Sequence, residues 1–228
     1  MTRNQSVPWV SRHNGDHNLT AVFNWLFTMA ALVAIMVVIG GVTRLTESGL
    51  SMVEWRPLIG ALPPLNAAEW DRVYQLYRAS PEYQQMNYGM TLAEFKTIFF
   101  WEYFHRLWGR LIGVAFALPL MVFALAGRVP AGFGLRLLIL LLLGGLQGVI
   151  GWWMVKSGLT EQASVSQYRL ATHLGMALLI FALLLWTAFD IRKGRGRLPS
   201  GHGLASLVLL VVTILAGALV AGMDAGLL

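Results

Sequence analysis

Two of the chain's five histidines, His105 and His173, stand at the starts of long apolar segments, each with small residues one turn further on. Gly109 and Gly113 follow His105 by four and eight positions, and Ala177 follows His173 by four. Two imidazoles at one depth of a helical bundle are a donor set for the axial positions of a haem iron. Small side chains below them leave room for a flat macrocycle. Either histidine alone reads better as an interfacial side chain bonding a neighbour or water; the matched pair favours ligation. Glu102 precedes His105 by three residues, on the same helix face one turn away. A carboxylate there can accept or deliver protons in oxidative chemistry, or be an ordinary interfacial charge. Arg106, Arg110 and Arg169 carry the forked donors that suit haem propionates. Arg106 and Arg110 suit snorkelling to lipid headgroups equally well, whereas Arg169 shares the face of His173, four residues on. His13, His17 and His202 lie in polar or basic segments and read as solvated.

The elements that must position these groups are membrane helices. The chain has 228 residues, 57% hydrophobic and 12% charged, against about a quarter charged in soluble domains. Its apolar residues come in runs near the roughly 20 residues that cross a bilayer. Five spans are predicted, over 22–42, 105–126, 133–155, 172–190 and 204–222. The expected fold is an all-α integral membrane protein: a four-helix transmembrane bundle plus a fifth transmembrane helix. There is no cysteine, which excludes disulfides, thiolate metal sites and cysteine nucleophiles. The net charge of +6 reads as loop asymmetry, with no nucleic-acid partner. The first twenty residues show no signal-peptide pattern, so the first span is expected to be retained.

Arg192, Lys193, Arg195 and Arg197 follow span four, Arg128 and Arg136 flank the turn after span two, and Arg3 and Arg12 lie in the first segment. The long connection between spans one and two instead has five basic residues against seven acidic ones. The positive-inside bias then places the N-terminus in the cytoplasm and the long connection, 44–102, outside, with the C-terminus also outside. Within it, Asn66 and Glu69 resemble a capping box before Trp70, Tyr74 and Tyr77, which predicts a short amphipathic surface helix. Thr91 and Glu94 form a better box, so span two is expected to begin as a helix near Leu92. The aromatic cluster from Phe99 to Phe104 requires no more than an interfacial belt.

The expected organisation is a cytoplasmic tail over 1–21, a haem-binding bundle over 22–190, a basic loop over 191–203 and a fifth helix over 204–228. A faint repeat relates Gly40-Gly41 and Glu47–Leu50 to Gly217-Ala218 and Asp224–Leu227 at a shift of 177 residues. On that pattern the fifth helix opens a second copy of the unit, and the chain is expected to be incomplete.

The stretches "GGVTRLTESGLSM", "WRPLIGALPPL", "WEYFHRLWGR", "LQGVIGWWMVKSGL" and "YRLATHLGMALL" occur in order and together resemble the haem A synthase family, from about Phe23 onward. The Glu-x-x-His-Arg of Glu102 to Arg106 is the most specific part, and the lack of cysteine resembles the proteobacterial and mitochondrial branch. The resemblance implies an oxidoreductase of the bacterial inner membrane that converts the C8 methyl of haem O to the formyl group of haem A for cytochrome oxidase. It implies His105 and His173 as a haem-ligand pair and Glu102 as the catalytic carboxylate; Arg169, Arg106 and Gly109 are expected at the haem from their spacing to the two histidines alone. Haem b is the implied cofactor, with haem O as substrate and haem A as product. The implied partners are the lipid bilayer, a haem O synthase upstream and an unidentified electron acceptor, and a homo-oligomer stays open. Members have two similar four-helix halves, and this chain departs from that pattern in lacking the second half's histidine pair. The alternative is a b-type membrane cytochrome passing electrons from quinol. A transporter is disfavoured, since Pro119 is the one break near the middle of a span.

Overall fold

The computed structural model describes residues 9–54, 62–160, 163–194, 196, 200–223 and 225, with side chains from Asn18 onward. Among the described residues it is entirely helical. The elements are α1 (Trp9–Leu45), α2 (Ala67–Arg78), α3 (Pro81–Gln85), α4 (Leu92–Leu125), α5 (Gly134–Thr160), α6 (Gln167–Lys193) and α7 (His202–Gly222). The five long helices α1, α4, α5, α6 and α7 are each long and apolar enough to cross a membrane. In lipid only a helix or a closed barrel satisfies its own backbone, which makes these runs helices regardless of fine propensity. Helix α1 begins at Trp9, so much of the segment expected as a tail is helical; no proline interrupts it from there to Leu45. The second copy of the repeat motif, Asp224 to Leu227, falls largely outside the described residues.

Helix α1 packs against α4 and α6, and α5 packs against α6 and α4. The bundle order is therefore α4, α1, α6, α5, with α4 and α6 at opposite corners; α7 lies against α6. A buried apolar core, built from Leu26, Met29 and Val33 of α1, Phe116, Leu140 and Leu184, fills the half of the bundle near residues 22 and 191. Between membrane helices such a core holds by close van der Waals contact. Pro119 interrupts α4 and leaves the carbonyl of Ala115 without its helical donor. The indole N–H of Trp25 on α1 donates to that carbonyl at 3.0 Å, so the proline's cost becomes an interhelical bond.

The opposite end is capped by α2 and α3. Asn66 accepts from the Glu69 N–H at 2.9 Å and starts α2, as its spacing predicts, while the Glu69 carboxylate turns to Arg72 rather than back to the cap. Thr91 and Glu94 make the full reciprocal box, and α4 starts at Leu92 as expected. The short α3, absent from the sequence expectations, is started by Ser80 with Pro81 in its first turn. Tyr77 and Tyr83 pack with Phe95 and Phe99 of α4 beneath Trp70 and Tyr74. Phe99 is thus part of a buried aromatic cluster, not of a lipid-facing belt; Phe100 is the exposed neighbour. The segment after α1 is pinned by Leu50, which fills the space that a side chain at Gly158 of α5 would need.

Candidate haem site

Four residues from four helices meet at one level near the capped end. His105 on α4 lies against Gly40 of α1, where a Cβ would sit 3.4 Å from the imidazole Nε2. His173 on α6 lies against Gly151 of α5, where a Cβ would sit 2.9 Å from Cε1. Corners therefore alternate histidine, glycine, histidine, glycine, with the imidazoles on one diagonal and the glycines on the other. The two imidazoles are near enough to interact electrostatically. Among the described residues the buried Nδ1 of His173 has no hydrogen-bond partner. The Gln147 amide of α5 donates to the His173 carbonyl at 3.0 Å and fixes the backbone of that turn.

These residues fit a haem. Imidazoles on opposite corners can approach both faces of one ring, and an orphaned buried ring nitrogen is what a metal would satisfy. Of the small residues singled out in the sequence, Gly113 opens onto free space and Gly109 faces the Met36 methyl at 3.5 Å. Gly40 and Gly151, which touch the imidazoles directly, were missed. The available signal was their position toward the capped ends of α1 and α5, the same depth as the histidines on an antiparallel bundle.

Glu102 is buried one turn outward from His105. Its carboxylate accepts from the Ser51 hydroxyl at 2.7 Å and the Met52 N–H at 2.7 Å, and is salt-bridged to Arg106. Arg106 also donates to the Met52 carbonyl at 3.2 Å. One helix turn of α4 thus clamps the Ser51–Met52 backbone, an anchor invisible in the sequence because its partners lie some fifty residues away. A cavity of about 260 Å³, lined by Ser51, Met52, Glu54, Arg72 and Phe99 among others, adjoins the clamp. Arg169 is turned to Trp153, donating to its carbonyl at 2.7 Å with the guanidinium 4.6 Å from the ring centre. Arg106 thus serves Glu102, and Arg169 the end of α5.

The chain has relatives among known proteins. It is 53% identical over 217 residues to the heme A synthase of Parvibaculum lavamentivorans, covering 93% of this chain and 63% of the relative. It is 51% identical over 212 residues to that of Nitrosospira multiformis, covering 89% and 59%. It is 54% identical over 213 residues to that of Rhodospirillum centenum, covering 90% and 57%. The chain thus spans roughly 60% of the length of the curated relatives it matches. No solved structure matches it. Five apolar spans and bacterial relatives make it a multi-pass protein of a bacterial inner membrane. The model of the COX15-CtaA family, described as cytochrome oxidase assembly protein, matches residues 23–228, and the chain belongs to that family.

Proposed function

We propose that the His105–His173 pair holds haem O and that the chain takes part in oxidising its C8 methyl to the formyl group of haem A, the activity for which the relatives are named. The observation that carries this is the pair of imidazoles on opposite corners of the bundle, with the Glu102 carboxylate one turn outward. A bound haem supplies the redox chemistry. The protein's share would be to hold the iron between His105 and His173 and to exchange protons at the ring's edge. Counted with water as oxygen source, methyl plus water becomes formyl, four protons and four electrons, the electrons leaving to an external acceptor. Glu102, immobilised by three donors one helix turn from His105, is the carboxylate placed to accept such protons. Arg169, at the same end as His173, is the propionate candidate, and Gly109 keeps the face of α4 below His105 small. A haem O synthase would supply the substrate, and haem b is the competing occupant.

Arg128, Arg136, Arg192 and Lys193 gather at the end away from the cap. By the positive-inside bias the cap and the site face the outer side of the membrane.

The test is to express the encoding gene with a source of haem O and extract the membrane haems. Haem A is expected with wild type, and Glu102→Ala is expected to retain haem while forming no haem A. Normal conversion by Glu102→Ala removes its catalytic role. Bound haem b with no haem A in wild type favours the electron-transfer cytochrome instead.

A further inference from the structure

Glu82 on α3 is the other buried carboxyl at the capped end, 5% exposed, and its environment is the reverse of that of Glu102. Among the described residues its Oε2 has no hydrogen-bond partner, and no ion pair to it is formed. The hydroxyl of Tyr77 on α2 lies close enough to interact with the carboxyl. That hydroxyl also accepts from the Asn87 amide at 2.8 Å, and Asn87 is half-exposed. The charges that reach Glu82 are those of Glu102 on α4 and of Glu47 just after α1, both negative. From α5, the remaining element packed on α3, Lys156 is exposed and lies over the Trp152 ring at 5.3 Å. A buried, half-satisfied acid with no cation and two acidic neighbours weakens the fold it sits in.

We propose that Glu82 is a proton-relay residue, exchanging protons between the Glu102 carboxylate at the haem site and the outer surface along the Tyr77 edge of the cap. The proposal rests on the haem-oxidation reading above, which requires protons to cross a buried boundary. In the relay the O–H bond of Glu82 breaks as its proton passes to solvent water at the half-exposed Asn87 edge of the cap, and the hydronium formed there releases it to bulk. A new O–H bond then forms with a proton arriving from the Glu102 side, and no electrons pass through Glu82. Burial, reinforced by the charges of Glu102 and Glu47, pushes Glu82 up to about 8, which suits a group that must both hold and release a proton near neutral pH. Glu102 and Glu82 then divide the work: one fixed by donors beside the ring, the other neutral at rest and free to cycle.

Glu82→Gln keeps the size and the neutral state, so it preserves a merely structural acid and stops a relay. With the haem-loaded protein from membranes, conversion of haem O in Glu82→Gln is expected to fall at least tenfold with haem content and absorbance unchanged. Glu82→Asp is expected to restore part of it. Infrared spectra should show a protonated-carboxyl band in wild type that titrates near pH 8 and is missing in Glu82→Gln. The haem midpoint potential should change its pH dependence near the same point in wild type only. Unaltered conversion in Glu82→Gln, as when protons leave through the cavity beside Ser51, overturns the relay. A band or a potential break that persists in that variant overturns it too. If wild type makes no haem A, the haem-oxidation reading fails separately, and the infrared and potential measurements still decide the relay.

Discussion

The two ends of this bundle use the same four helices and the same kind of ion pair for different purposes. At the basic end, Arg136 of α5 reaches Asp190 of α6 at 2.5 Å, and Asp190 also accepts from the Gly196 N–H at 3.1 Å. At the capped end, Glu102 and Arg106 pair within one helix and hold the Ser51–Met52 backbone. Both carboxylates are buried, and both tie a connecting segment to a helix end. What differs is the space between the helices. Below the basic end it is filled by Leu26, Met29, Phe116 and Leu184, so Asp190 closes a packed core. Near the capped end the facing positions are histidine and glycine, so Glu102 sits beside groups able to receive a planar ligand. A buried ion pair therefore says little about function by itself; the side chains one turn further in decide whether it seals a core or borders a site.

The largest effect that separates the ends is on haem retention. His105→Ala and His173→Ala are each expected to leave the purified protein without bound haem, measured by haem content per chain. Asp190→Asn is expected to retain the haem while lowering the unfolding temperature. Breaking a buried pair typically costs ~3–5 kcal/mol, and less is expected here because Arg136 is 31% exposed and also lies over the Trp186 ring. Haem loss in Asp190→Asn would break the division between core and site.

The capped end was less legible from sequence than the basic end, for a physical reason. Spans, the start of α4 at Leu92 and the His105–Glu102 register depend on local patterns, and hydropathy with capping chemistry specifies them. The Ser51–Glu102 and Leu50–Gly158 contacts join residues far apart in the chain, where no periodicity points from one partner to the other. The same holds for Glu82, which on α3 reads as one surface acid among several, and for Phe99, whose aromatic neighbours look like a belt until α2 folds over them. The Trp25 bond to Ala115 was hidden likewise, though Pro119 signalled that some donor had to be found.

A smaller effect divides the two imidazoles. A methyl at Gly151 would sit 2.9 Å from His173 Cε1, closer than real side chains approach, whereas at Gly40 it would sit 3.4 Å from His105 Nε2. Gly151→Ala is expected to tilt the His173 ring and destabilise by ~1–3 kcal/mol, as overpacking does. The readout is a shifted haem absorbance and potential. Gly40→Ala is expected to do the same more weakly. Equal shifts would mean that the α5–α6 side yields as easily as the α1–α4 side.

The smallest effect is on the cap alone and depends on pH. Burial, then the charges of Glu102 and Glu47, raise Glu82 from 4.5 to about 8. The folded state therefore binds this proton more tightly than the unfolded state does. The stability linked to it is fully present below pH 4.5, declines as pH rises through the interval, and levels off above about 8. Amide exchange in α2 and α3, corrected for its intrinsic pH dependence, should show protection falling between pH 5 and 8 in wild type and staying level in Glu82→Gln. The α5–α6 end around Asp190 serves as the internal reference, since Glu82 does not reach it. Equal loss of protection at both ends would assign the pH dependence to the whole bundle and not to the acid buried under Tyr77.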